Sequence, residues 1–115
     1  MKNLTTFNQL VHQFHIHDFV EKTVAQINKD LNGLYHEIIS VEHYENKSVL
    51  EELISKIEVV LEDLSRQSQL QQFIYAVDLN EKLWLEFMRM QDFKGLSKQI
   101  IIREAQKVYL REMFK

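Results

Sequence analysis

Proline occurs nowhere in this chain, and glycine only at Gly33 and Gly95. Tight turns between strands draw heavily on those two residues, so a fold built from many short strands is disfavoured and long helices are favoured. Both glycines read as helix ends. LNGL at 31–34 sets Gly33 as a left-handed cap with Leu34 beside it, and DFKGL at 92–96 repeats the arrangement with Gly95 and Leu96. Cap-plus-three spacings mark candidate helix starts at Thr6 with Gln9, Asp18 with Glu21, Ser48 with Glu51, Ser68 with Gln71 and Asp78 with Glu81.

Apolar periodicity agrees. Leu4, Phe7, Leu10, Val11 and Phe14 make one stripe and Val20, Val24, Ile27 and Leu31 another, out of phase across 15–18. Val49, Leu50, Leu53, Ile54, Ile57, Val60, Leu61 and Leu64 form the clearest amphipathic helix, followed by a shorter one at Leu70, Phe73, Ile74 and Val77. Leu79, Leu83, Trp84, Phe87 and Met88 carry a further helix to about Asp92, and a last one runs from about Leu96 to Phe114. LYHEIISVEHYE at 34–45 fits a helix through Leu34, Ile38 and Val41, and a strand through Ile39, Val41 and His43. A lone strand would have nothing to pair with, so helix is the expectation. The 115 residues are thus expected to form a single all-α domain, a compact bundle of five to six helices.

With 45% hydrophobic and 27% charged residues the composition is that of a globular protein. The chain has no cysteine, which removes disulfides, thiol catalysis and thiolate metal sites. The N-terminus lacks the apolar core of a secretory signal, and the longest apolar run, FIYAV at 73–77, is far short of a membrane span. A cytoplasmic protein with no membrane association is expected. Two glycines cannot build a Walker loop or a dinucleotide-binding turn, no serine sits in a nucleophile elbow, and HExxH is absent. No catalytic residue is visible.

Three histidines crowd VHQFHIHDF at 11–19: His12, His15 and His17. On a helix, His12 and His15 lie about 60° apart, close enough to share zinc or another divalent metal, whereas His17 falls roughly 140° from His12. Such a site needs a chain break at 15–18, with Asp18 or Glu21 as a further ligand. The simpler reading is a helix-terminal turn with Asp18 capping the next helix.

Charge is unevenly spread about a formal net of −3. Residues 37–63 hold eight acids against Lys47 and Lys56, while 94–115 hold six cations against Glu104 and Glu112. In the C-terminal helix Ile101, Ile102, Ala105, Val108, Tyr109 and Met113 gather on one arc, and Arg103, Lys107, Arg111 and Lys115 follow at intervals of four on the other side. This stripe faces solvent or the acidic 37–63 region, meets an acidic protein partner, or enters nucleic acid in a helix-turn-helix arrangement, which Lys94, Gln91 and the very apolar Ile100–Ile102 run speak against. LWLEFMRM, apolar at 83, 84, 85, 87, 88 and 90, belongs to a helix that is central in the bundle or part of an interface such as a homodimer seam. The expected function is a non-catalytic protein–protein interaction module. Its expected contact residues are Arg103, Lys107 and Arg111 as rim charges with Trp84 and Phe87 as anchors.

Overall fold

The computed structural model describes residues 17–42 and 49–113. Five helices run through them: α1 His17–Leu31, α2 Val49–Arg66, α3 Leu70–Val77, α4 Glu81–Arg89 and α5 Phe93–Met113. No strand occurs among the described residues, and the chain is all-α as its sequence indicates. The radius of gyration is 13.4 Å, close to the ~13 Å of a compact chain of this size. No helix among the described residues is long and apolar enough to cross a membrane. The expected helix over residues 4–14 lies outside the described residues.

The stripes in α1, α2 and α3 bury the side chains that the spacing picks out. Val20, Val24, Ile27 and Leu31 of α1 go into the core, as do all eight of the α2 positions and Leu70, Phe73, Ile74 and Val77 of α3. The last helix differs from its expectation. Instead of one apolar arc with cations opposite, α5 buries Leu96, Ser97, Ile100, Ile101, Ile102, Glu104, Ala105 and Val108. Three consecutive buried isoleucines, each about 100° from the last, need neighbours on several sides. They have them, because α5 packs against each of the other four helices. The central place thus belongs to α5 and not to LWLEFMRM. In α4 only Trp84 is buried, Leu85 is 48% exposed, and the helix leans chiefly on α5.

Helix ends are made in an unexpected way. Ser68, Asp78 and Gln91 all take left-handed backbone conformations, with φ of 58°, 65° and 55°. Each stands just past a helix, and the next amide reaches back five residues: Gln69 N to Leu64 O at 2.9 Å, Leu79 N to Ile74 O at 3.3 Å, Asp92 N to Phe87 O at 2.9 Å. These are Schellman closures with a side chain where glycine is usual. Ser68 and Asp78, expected to start helices, therefore finish them. The start of α4 is capped by Asn80, whose side chain accepts from Leu83 N at 3.2 Å. Of the two glycines only Gly33, at φ +84°, serves a helix end. Gly95 lies in the first turn of α5, where Asp92 Oδ1 accepts from its amide at 2.9 Å. A Cβ there would stand 2.3 Å from Asp92 Oδ2 and 2.5 Å from Phe87 Cε1, so glycine is needed for close approach.

The expected helix at 34–45 does not form in its described part. Residues 34–42 are an irregular connection, and 43–45 lie outside the described residues. Ile39 and Val41 are buried while Ile38 and Ser40 are exposed, the alternation of a strand edge. The backbone partner that a second strand would supply comes from α1. Asn28 Nδ2 donates to Ile39 O at 2.9 Å, and Ile39 N donates to Asn28 Oδ1 at 2.7 Å. One amide side chain thus satisfies both polar groups of a residue that must be buried.

Candidate functional site

Most of the basic stripe of α5 is spent inside the molecule. Lys107 Nζ lies 2.7 Å from Asp30 Oδ2 of α1, 2.7 Å from Glu104 Oε1 one turn back, and donates to the Ala76 carbonyl of α3 at 3.0 Å. Arg103 donates through Nε to the Asp78 carbonyl at 3.1 Å and through Nη2 to Asp78 Oδ2 at 2.9 Å. Both cations thus meet the C-terminal carbonyl end of α3, where a helix dipole favours positive charge. The dipole they complement belongs to α3 and not to α5, the helix that carries them. Arg111 Nη1 donates to Gln26 Oε1 at 2.9 Å, and Gln26 Nε2 to Asp30 Oδ1 at 3.3 Å, which joins α1 and α5 by one polar seam. Lys22 and Glu112 pair across the same two helices.

Glu104 is the unusual member. It is fully buried, and neither of its oxygens accepts a hydrogen bond; the Lys107 contact is close but off the hydrogen-bonding direction. Burial first, and then the neighbouring Asp30, push its carboxyl from 4.5 up to about 9 against the opposing pull of Lys107. At neutral pH Glu104 is thus a neutral acid beside the contact between Lys107 and Asp30. A strongly shifted carboxyl is often catalytic. Here no part of the side chain meets solvent, so a substrate has no approach to it, and the group belongs to the packing of α5. Sequence reading missed it, although Glu104 falls between Ile100 and Val108 at core spacing, an acid where the apolar stripe calls for an aliphatic residue.

The two expected anchors are turned inward. Trp84 is 9% exposed with its indole Nε1 lacking a hydrogen-bond partner, and Phe87 is half-buried with its ring edge close to Gly95. His12 and His15 lie outside the described residues, and so does the side chain of His17. Among the described residues no group of three or more His, Asp or Glu is arranged to hold a metal. A surface cleft of about 470 Å³ runs between the α3–α4 turn and α5, lined by Asn80, Leu83, Gln99, Ile102 and the Arg103–Asp78 pair. Its one guanidinium is already matched by a carboxylate.

The opposite situation holds on the outer side of α2. Ile38 is 83% exposed and Val59 55% exposed, and both line a groove of about 280 Å³ with Tyr35, Ile39, Lys56 and Val60. Glu37 stands on its rim, and Glu51, Glu58 and Glu62 follow one another along the same side of α2. The nearby cations are occupied: Lys56 by Glu52 and the Ser40 carbonyl, Arg66 by Asp63 at 2.9 Å. Tyr35 closes one end by donating to Asp63 Oδ2 at 2.7 Å, a bond that holds the Asp63 carboxyl below its ordinary range and raises the phenol to about 12. The groove thus has an apolar floor with Glu37 and the occupied Lys56 at its edge, and Glu51, Glu58 and Glu62 lie beside it on the adjoining side of α2. Comparison of the chain with known protein families, with curated proteins and with solved structures found no match.

Proposed function

We propose that this chain is a non-catalytic module for protein–protein contact, and that the contact is made by the outer face of α2 with the 37–40 segment. The observation that carries this reading is Ile38, a large aliphatic side chain left 83% exposed beside the half-exposed Val59 in one groove. Single exposed aliphatics are ordinary, but two that share a groove form the nucleus of an interface, with a charged rim around it. Arg103, Lys107 and Arg111 are engaged within the fold, whereas Glu51, Glu58 and Glu62 of α2 enter no ion pair among the described residues.

The test is co-purification from the native host with the intact chain and with an Ile38→Asp/Val59→Asp variant. Both positions are exposed, so the variant is expected to melt within a few degrees of the parent. Partners held by the parent should be absent from the variant and retained by an Arg111→Glu control. Retention of every partner by the double variant overturns the proposal.

A further inference from the structure

We infer that the occupant of the α2 groove is a cationic amphipathic helix of another protein, an inference that rests on the protein-contact reading above. The charge comes first. Glu51, Glu58 and Glu62 recur at intervals of seven and four, so they share one side of α2, with Glu37 across the groove. None of Glu51, Glu58 and Glu62 enters an ion pair among the described residues, while Lys56 and Arg66 are consumed by Glu52, Ser40 and Asp63. Among the described residues this surface thus offers carboxylates that neither Lys56 nor Arg66 is free to answer, and Glu37 lies 3.4 Å from His36 Nε2. The surface repels nucleic acid and anionic membranes and attracts lysine and arginine.

Shape narrows the class further. At about 280 Å³ the groove falls just below the ~300–1,000 Å³ of small-molecule sites, and it lies open between the 35–40 segment and α2. It accommodates one or two inserted side chains. An extended peptide would need an unpaired strand edge, and in the strand-like 38–41 stretch Ile39 already has its amide and carbonyl satisfied by Asn28 while the Ser40 carbonyl accepts from Lys56. A polyproline segment needs an aromatic-lined groove, and the single aromatic, Tyr35, is tied to Asp63. A helix laid along α2 meets both requirements. From Glu51 to Glu62 the face is about 16 Å long, three helical turns. Two apolar side chains spaced i, i+4 reach Ile38 and Val59, and flanking lysines or arginines reach the glutamates.

The probe is a synthetic peptide of about 18 residues, long enough to be helical, with leucines on one face and lysines on its flanks. Two controls accompany it: the same composition scrambled so that no apolar face forms, and a version with glutamate for lysine. Binding to the intact chain is followed by fluorescence anisotropy and mapped by amide chemical shifts. The amphipathic cationic peptide should bind with shifts centred on Ile38 and Val59, and at least about tenfold more tightly than either control. A Glu58→Lys/Glu62→Lys variant should lose about tenfold, and Arg111→Glu should lose nothing. No binding, binding equal to that of the scrambled peptide, or shifts mapped elsewhere overturns the inference. A dimer of the chain itself that Val59→Asp dissociates also overturns it and gives the groove to a second copy. If host partners are lost with Ile38→Asp/Val59→Asp but the peptide does not bind, the occupant is wrong and the contact surface stands. If those partners are kept, the surface itself is wrong.

Discussion

Glu104 shows how one buried acid sets a pH dependence. Its folded value of about 9 stands far above the ordinary 4.5. Between these values the folded chain keeps a proton that the unfolded chain has released, so stability must fall as pH rises through that window. The slope is at most about 1.4 kcal/mol per pH unit for one such group, and it vanishes above the window. Glu104→Gln keeps the shape and the neutral charge, and should flatten the dependence without unfolding the protein near neutral pH. Denaturant midpoints collected across the window check it, and an unchanged slope in the variant would assign the pH effect to other groups. Asp63 works in the opposite direction. Its carboxyl is held low by Tyr35 and Arg66, so its contribution is present above the ordinary carboxylate range and is lost on acidification.

At the level of elements, the helix ends explain how a chain can manage with two glycines. Ser68, Asp78 and Gln91 carry left-handed conformations that cost an L residue roughly 1–2 kcal/mol each. Asp78 recovers part of this through Arg103, whereas the exposed Gln91 shows no such contact. Gln91→Gly is therefore expected to raise stability by about 0.5–1 kcal/mol, seen as a higher melting temperature; a decrease would mean that the glutamine side chain does something in the turn. The 34–42 connection depends on a different device. Asn28→Ala removes both hydrogen bonds to Ile39 while leaving that residue buried, and should cost about 2–3 kcal/mol. Faster amide exchange at Ile39 than elsewhere in the core would locate the damage in this segment.

For the whole molecule, α5 is the element on which the others converge. Ile101 is fully exposed to the core and not at all to solvent, so Ile101→Ala should cost about 2–5 kcal/mol. A domain with a total of 5–15 kcal/mol feels that as a large loss. Because α1, α2, α3 and α4 all rest on α5, the loss should appear as one cooperative transition at lower denaturant, and separate melting of α4 would contradict the central role of α5.

Helix class and the core stripes of α1, α2 and α3 could be read from the sequence because they depend on spacing along one element. Val20 to Leu31 and Val49 to Leu64 each face a single direction, and any fold with a core buries them. What failed depends on distant residues. Asn28 replaces a missing strand for Ile39, eleven positions on, and nothing in 34–45 announces that partner. Residues with positive φ at Ser68, Asp78 and Gln91 look like ordinary polar caps until the backbone bonds across the helix end are seen. The basic stripe has the spacing of a solvated face, yet Arg103, Lys107 and Arg111 find Asp78, Asp30 and Gln26 across 25, 77 and 85 residues. Periodicity tells which residues share a face, but packing decides what that face meets. Charge in particular follows the partner, because a cation is exposed or buried according to whether a carboxylate or a carbonyl from elsewhere in the chain arrives beside it.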